Sequence, residues 1–224
     1  MITTRLANNR YGGFYRTLEE VPSNRFVVSE TYNFNLIIGV WDGNAWVEGA
    51  TAQEIEEILQ SQKDSLLEVI SVKVDELNTR ALSSALGLKG SRQFLESQKV
   101  IYDRKANVAN GTNDAFMDQT IADQMERDYP NEIDLDNALI ALGLNPVGTK
   151  SVKYRNLIKK TNENFYASYN KFLAHIEDFR TLCTFHLKNN DFVKAQAVID
   201  VAESVPLEVD DTILTNKRAE AFNI

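Results

Sequence analysis

Between Phe165 and His186 one stripe of side chains recurs at spacings of 4, 3, 4, 3, 4 and 3: Phe165, Tyr169, Phe172, Ile176, Phe179, Cys183 and His186. That repeat keeps one side of an α-helix turned toward a partner over its whole length. Aromatics stand where a simple coiled coil favours Leu or Ile. The stripe therefore reads as the core-facing side of a bundle helix, with a seam between subunits as the competing reading. His175 lies beside it. The chain has one Cys and two His among its 224 residues, which excludes an internal disulfide framework and Cys-rich zinc sites. No Asp or Asn stands at a spacing that would orient a base, and the ligands are too few for a metal. Cys183, His175 and His186 read as packing residues.

Helix also dominates upstream of the stripe. Thr51-Ala52-Gln53-Glu54 is a capping-box pattern, in which the Thr hydroxyl accepts from the amide three residues on and Glu54 returns a bond to the cap. Ile55, Ile58, Leu59, Leu66, Ile70, Val74, Leu77 and Ala81 follow at largely helical spacing, so a long helix is expected to end at Gly87. Ala85-Leu86-Gly87-Leu88 is matched by Ala141-Leu142-Gly143-Leu144. In each, glycine suits the left-handed position after a helix and the next leucine can fold back on the last turn. Further helices are expected over 91–107, 115–127 and 135–142. Asn145-Pro146-Val147-Gly148 is a connection, and the long helix starts near Ser151.

Residues 1–50 read differently. Arg25-Phe26-Val27-Val28 and the run from Asn33 to Trp41 are rich in β-branched and aromatic residues, with Phe34, Leu36, Ile38 and Val40 alternating onto one face. Trp41-Asp42-Gly43-Asn44-Ala45-Trp46-Val47 reads as a hairpin about an Asp-Gly turn. Gly12-Gly13 and Pro22-Ser23-Asn24 mark earlier turns. The expected fold is mainly α: a helical bundle or set of helical hairpins with a small N-terminal β-hairpin or sheet appendage. Residues 1–50 form that β/turn appendage and residues 51–224 the helical domain, with a sub-boundary near 145–150.

Charge narrows the function classes. The formal net charge of −8 argues against broad nucleic-acid binding. Nearly all of the acidic excess lies in residues 51–150, which carry 17 acidic and 10 basic side chains. Part of it runs from Asp114 to Asp136, where Arg127 is the one basic residue. Such a run reads as a solvated helix face, with an acidic patch for a basic partner as the alternative. Asp134-Leu135-Asp136 opens like a calcium loop, but Ala138 and Leu139 stand where a ligand and the turn glycine belong. Leu36-Ile37-Ile38, with Gly39-Val40-Trp41 after it, is the longest apolar stretch, far short of the roughly 20 residues that span a bilayer. No apolar run of signal-peptide kind follows Met1–Arg10, so a reducing compartment is expected. No Gly-rich phosphate loop, His-metal spacing or Ser/Cys/His constellation points to an enzyme, and no cofactor is expected.

Two resemblances add to this reading. From Phe185 through Asp191-Phe192 to Ala195, Ala202 and Pro206 the chain resembles a single tetratricopeptide unit, with Asn190 in place of the usual turn glycine and no second copy at the family's repeat length. The string Trp41-Asp42-Gly43-Asn44-Ala45-Trp46-Val47-Glu48-Gly49-Ala50-Thr51, with Ala52-Gln53-Glu54-Ile55 after it, resembles a hairpin-to-helix junction of tailed-bacteriophage virion and tail proteins. The stretch Ser97–Lys105 is similar to helices in such proteins. That resemblance implies a non-enzymatic virion component: a tail, neck or fibre-attachment connector, assembled in the host cytoplasm. It would act by homo-oligomerisation, on a cyclic axis, and by docking to other virion proteins, without nucleic acid or membrane as partner. A tail or fibre assembly chaperone and a helical protein–protein adaptor are the alternatives. The candidate docking interface is Phe34, Leu36, Ile37, Ile38, Trp41 and Trp46, because a two-faced apolar strand in so small a sheet needs cover on both sides. The competing reading packs Trp41 and Trp46 on the first helix near Ile55 and Ile58.

Overall fold

The computed structural model describes residues 2–8, 10–16, 18–28, 36 and 38–224. It is mainly α, with a small antiparallel β structure near the N-terminus. The chain divides into two units, residues 1–65 and 66–224.

In the first unit, strands β1 (Ile2–Arg5), β2 (Tyr11–Tyr15) and β3 (Phe26–Val28) form an antiparallel sheet in the order β2-β1-β3. Strands β4 (Gly39–Trp41) and β5 (Trp46–Glu48) form a separate hairpin, with Trp41 paired to Trp46. An isolated bridge between Arg10 and Val40 joins the two sheets. Gly12-Gly13, expected to turn, lies inside β2. The register shifts there, Thr4 pairing with Gly13 and Arg5 with Tyr11, so this is a bulge. Glycine is required for a packing reason as well: a Cβ on Gly12 would stand 2.9 Å from Thr4 Oγ1 and 3.0 Å from the Arg5 carbonyl carbon. The turn at Pro22-Ser23-Asn24 forms, closed by Arg25 N–H donating to Pro22 O at 3.0 Å.

Helix α1 (Ala52–Leu86) opens with the full capping box. Glu54 N–H donates to Thr51 Oγ1 at 3.1 Å and Thr51 N–H to Glu54 Oε2 at 2.9 Å. Residues of α1 up to Ser65 belong to the first unit and those from Leu66 to the second. Both glycine stops form as read. Gly87 and Gly143 sit at φ 64° and 74°, and the amides of Leu88 and Leu144 reach back to Ser83 O and Leu139 O at 3.1 and 2.9 Å. The leucines then differ. Leu144 packs on the core, whereas Leu88 is left exposed.

The second unit is built on α5 (Lys150–Lys188), which packs against α2 (Arg92–Ala109), α3 (Ala115–Asp128), α4 (Glu132–Ala141), α6 (Phe192–Glu203) and α7 (Asp211–Phe222). Side-chain oxygens of Ser91, Asp114, Asn131, Thr149, Asp191 and Asp210 cap α2 to α7 in turn. Helix α4 starts a turn earlier than its apolar spacing suggests, because Asn131 accepts from Ile133 N–H at 3.0 Å. The α5 stripe is buried within the chain rather than presented as a seam. Phe172, Ile176, Phe179 and Cys183 meet Ile70, Val74, Leu77 and Ala81 of α1, Val198 and Ile199 of α6, and Leu214 of α7. Phe165 closes a neighbouring cluster with Leu82 and Leu95. After Cys183 the buried position passes to Leu187, and His186 lies half-buried beside it. A second core joins Val108, Met117, Ile121, Leu135, Leu139, Tyr154 and Leu157.

Candidate docking surface

The first unit has its own aromatic core. Val28 and Trp46 are buried at its centre, with Tyr11, Phe14, Leu36 and Trp41 packed around them. Trp46 meets Trp41 and Tyr11 edge-on, at centroid distances of 5.6 and 5.9 Å. Neither Ile55 nor Ile58 belongs to this cluster among the described residues.

The expected docking residues therefore lie in different settings. Phe34 and Ile37 fall outside the described residues. Leu36, Ile38 and Trp41 are half-buried, and Trp46 is 7% exposed. The strand expected from Asn33 to Trp41 is described as strand only over Gly39–Trp41. Ile38 leaves it because its N–H donates to the side chain of Glu48 at 2.9 Å, where a strand would offer a backbone carbonyl. The same Glu48 oxygen accepts from Ala50 N–H at 2.9 Å, and Gly49 N–H returns to Ile38 O at 2.8 Å. Asp42 organises the other end. Its Oδ1 accepts from the amides of Ala45 and Asn44, both at 2.8 Å, and these bonds hold its carboxyl below the usual carboxylate range. Gly43 takes φ 113° between them. Glu54 is likewise lowered, first by the Thr51 amide and next by Arg10, which stands 3.0 Å away. Asp42, Gly43, Glu48, Thr51 and Glu54 of the junction string thus each have a local structural task.

What this unit leaves exposed are apolar strand residues that sequence reasoning did not select: Phe26 and Val27 on β3, 46% and 51% exposed, and Val47 on β5. Phe26 is covered on one face by the Arg5 guanidinium, 4.5 Å from its ring centroid. The signal was present in the strand-like run Arg25–Val28.

Elsewhere, the acidic run is largely absorbed by pairing. Asp114 caps α3 and binds Arg104, Asp118 binds Arg155, Glu126 binds Lys150, and Lys153 sits 2.8 Å from both Glu132 and Asp136. The basic partners come from α2 and α5, too far along the chain for a local charge count to reveal. Burial pushes the Cys183 thiol up to about 11 and leaves it fully enclosed. His175 Nε2 lies 3.5 Å from Asp211 Oδ1. Asp211 is held below its ordinary range chiefly by Lys171, 2.6 Å away. No group of three metal-ligating side chains occurs among the described residues, and no described helix is long and apolar enough to cross a membrane. Comparison with protein-family models, curated proteins and solved structures finds no match.

Proposed function

We propose that this chain is a non-enzymatic structural component of a tailed-phage particle, a tail, neck or fibre-attachment connector that works by self-association and docking. The observation that carries the reading is the first unit itself. The junction string that resembles phage tail proteins is held together by its own backbone-directed carboxylates, Asp42 and Glu48, while Phe26, Val27 and Val47 remain on the surface. An apolar set on short strands, next to a small aromatic core, suits a contact with another protein. The docking role moves accordingly from Trp46 to these exposed neighbours.

Purified particles provide the test. Stoichiometric, symmetric copies of the chain in a particle reconstruction support the connector. Its absence from finished particles, with particles failing to assemble when it is deleted, turns the reading to an assembly chaperone. A genomic setting without phage genes overturns both and favours the helical adaptor.

A further inference from the structure

The second unit contains a pocket of about 420 Å³ between α2, α3 and α5 that none of the roles above uses. Tyr102 and Lys105 reach it from α2, Gln124, Arg127 and Asp128 from the end of α3, and Tyr154, Leu157, Ile158 and Thr161 from α5, with Tyr129 at the turn. Its size falls in the range of small-molecule sites.

Three features set its chemistry. Lys105 is half-buried, yet it makes no hydrogen bond or ion pair among the described residues. Burial pushes its ammonium down, against the attraction of Asp128. The hydroxyls of Tyr102, Tyr129 and Tyr154 likewise have no hydrogen-bond partner among the described residues. Arg127 is held by Asp128, Nε to Oδ1 at 2.7 Å and Nη2 to Oδ2 at 3.3 Å, so the one carboxylate of the wall is already engaged. Lys105 and Arg127 against Asp128 leave a formal excess of one positive charge. Lys105 and Arg127 can only donate, while the tyrosine hydroxyls can donate or accept. Leu157, Ile158 and the edge-on Tyr129–Tyr154 pair, with centroids 5.8 Å apart, supply the apolar part of the remaining wall.

We infer that this pocket binds a small aromatic carboxylate, its single negative charge on Lys105 and the tyrosine hydroxyls and its ring against Leu157, Ile158 and the tyrosine pair. A monoanion matches the excess charge, and its oxygens can accept from the ammonium and from the tyrosine hydroxyls. A phosphate dianion would leave a second negative charge beside Asp128.

Calorimetric titration of the full chain with 2-naphthoate, 2-naphthalenemethanol and 2-naphthyl phosphate tests this. The expected result is saturable one-to-one binding of the carboxylate at or below about 1 mM, the ordinary reach of a ligand this size. Lys105→Met should weaken it by about ten-fold or more, as loss of a charge-assisted hydrogen bond does, and should leave the weak binding of the alcohol unchanged. Should Lys105→Met lower the melting temperature, Tyr154→Phe serves instead. It removes only an unpaired hydroxyl and should weaken the carboxylate several-fold. The inference is overturned if the native chain shows no saturable binding, if the alcohol binds as tightly as the carboxylate, or if the variant used keeps native affinity. Tighter binding of the phosphate overturns the carboxylate assignment.

Discussion

Gly49 lies so close to Val40 that a Cβ built on it would stand 2.0 Å from Val40 Cγ2 and 2.7 Å from its Cβ. The two residues lie at the open end of the β4–β5 hairpin, where the chain turns from Glu48 toward the Thr51 cap. Gly49 is therefore chosen for proximity. Its substitution must push β4 away from β5, and the pair Trp41–Trp46 sits on the same ladder.

Gly49→Ala should loosen the first unit and leave the helices intact, at a cost of about 1–3 kcal/mol for forced overpacking. Both tryptophans of the chain, Trp41 and Trp46, lie in this hairpin, so emission reports on it selectively. The expected result is a red-shifted emission and an earlier fluorescence transition on heating, with helical circular dichroism unchanged at low temperature. Unaltered emission would show that Val40 yields at no cost.

Asn190 gives a second, independent test. It holds φ 56° between α5 and α6, the position where the tetratricopeptide resemblance leads one to expect glycine. Asn tolerates this conformation better than other side chains with a Cβ, and glycine has no steric penalty there. Asn190→Ala should lower stability by about 1 kcal/mol, while Asn190→Gly should be neutral or slightly stabilising. Denaturant unfolding followed by circular dichroism separates the two.

These positions show what was legible in the sequence. Helix ends were, because they depend on near neighbours: Thr51 with Glu54, Gly87 with Leu88, Gly143 with Leu144. The α5 stripe was legible because periodicity survives without knowledge of the partner. Helix α7 is not legible in the sequence, although Asp210 caps it and Leu214 and Ala221 are buried on one face. Its apolar set is sparse, and it becomes a core element only once α5 supplies the opposite side. Gly12-Gly13 reads as a turn in the sequence because the same residue type serves turns and bulges. Only the pairing of Thr4 with Gly13 distinguishes them. The burial of Trp46 was hidden for a related reason. Its cover comes from Tyr11, Phe14 and Val28, on strands whose arrangement no local pattern encodes.

Cys183 makes a prediction about pH. The folded thiol is raised to about 11 from an ordinary value near 9, so the folded state holds this proton more tightly than the unfolded one. Its contribution to stability is fully present below about pH 9 and is lost as pH rises through about 11. Unfolding free energy should fall over that window in the native chain and fall less steeply in Cys183→Ala. At neutral pH that variant should lose about 1 kcal/mol through the small cavity it opens. A disulfide-exchange reagent should react only as fast as the protein unfolds. Rapid modification of the folded chain would contradict the burial.

The last prediction separates core from contact in the first unit. Trp46 is 7% exposed at the centre of the aromatic cluster, whereas Val27 and Val47 are 51% and 39% exposed on the strands around it. Removing the indole deletes the largest side chain of a small core, a change that costs about 3–5 kcal/mol in a well-packed site. A unit with so little other apolar burial is not expected to survive that loss. Trp46→Ala should therefore abolish the hairpin, seen as loss of the blue-shifted emission of Trp41, and any assembly defect would follow from unfolding. Val27→Lys and Val47→Lys place a charge where water already reaches, so their thermal transitions should stay within about 0.5 kcal/mol of the native chain. If the exposed strands are the docking surface, these two variants remain folded and fail to enter particles. Normal incorporation of both would move the contact away from the β unit, and the exposed residues of the helices would then be the ones to change.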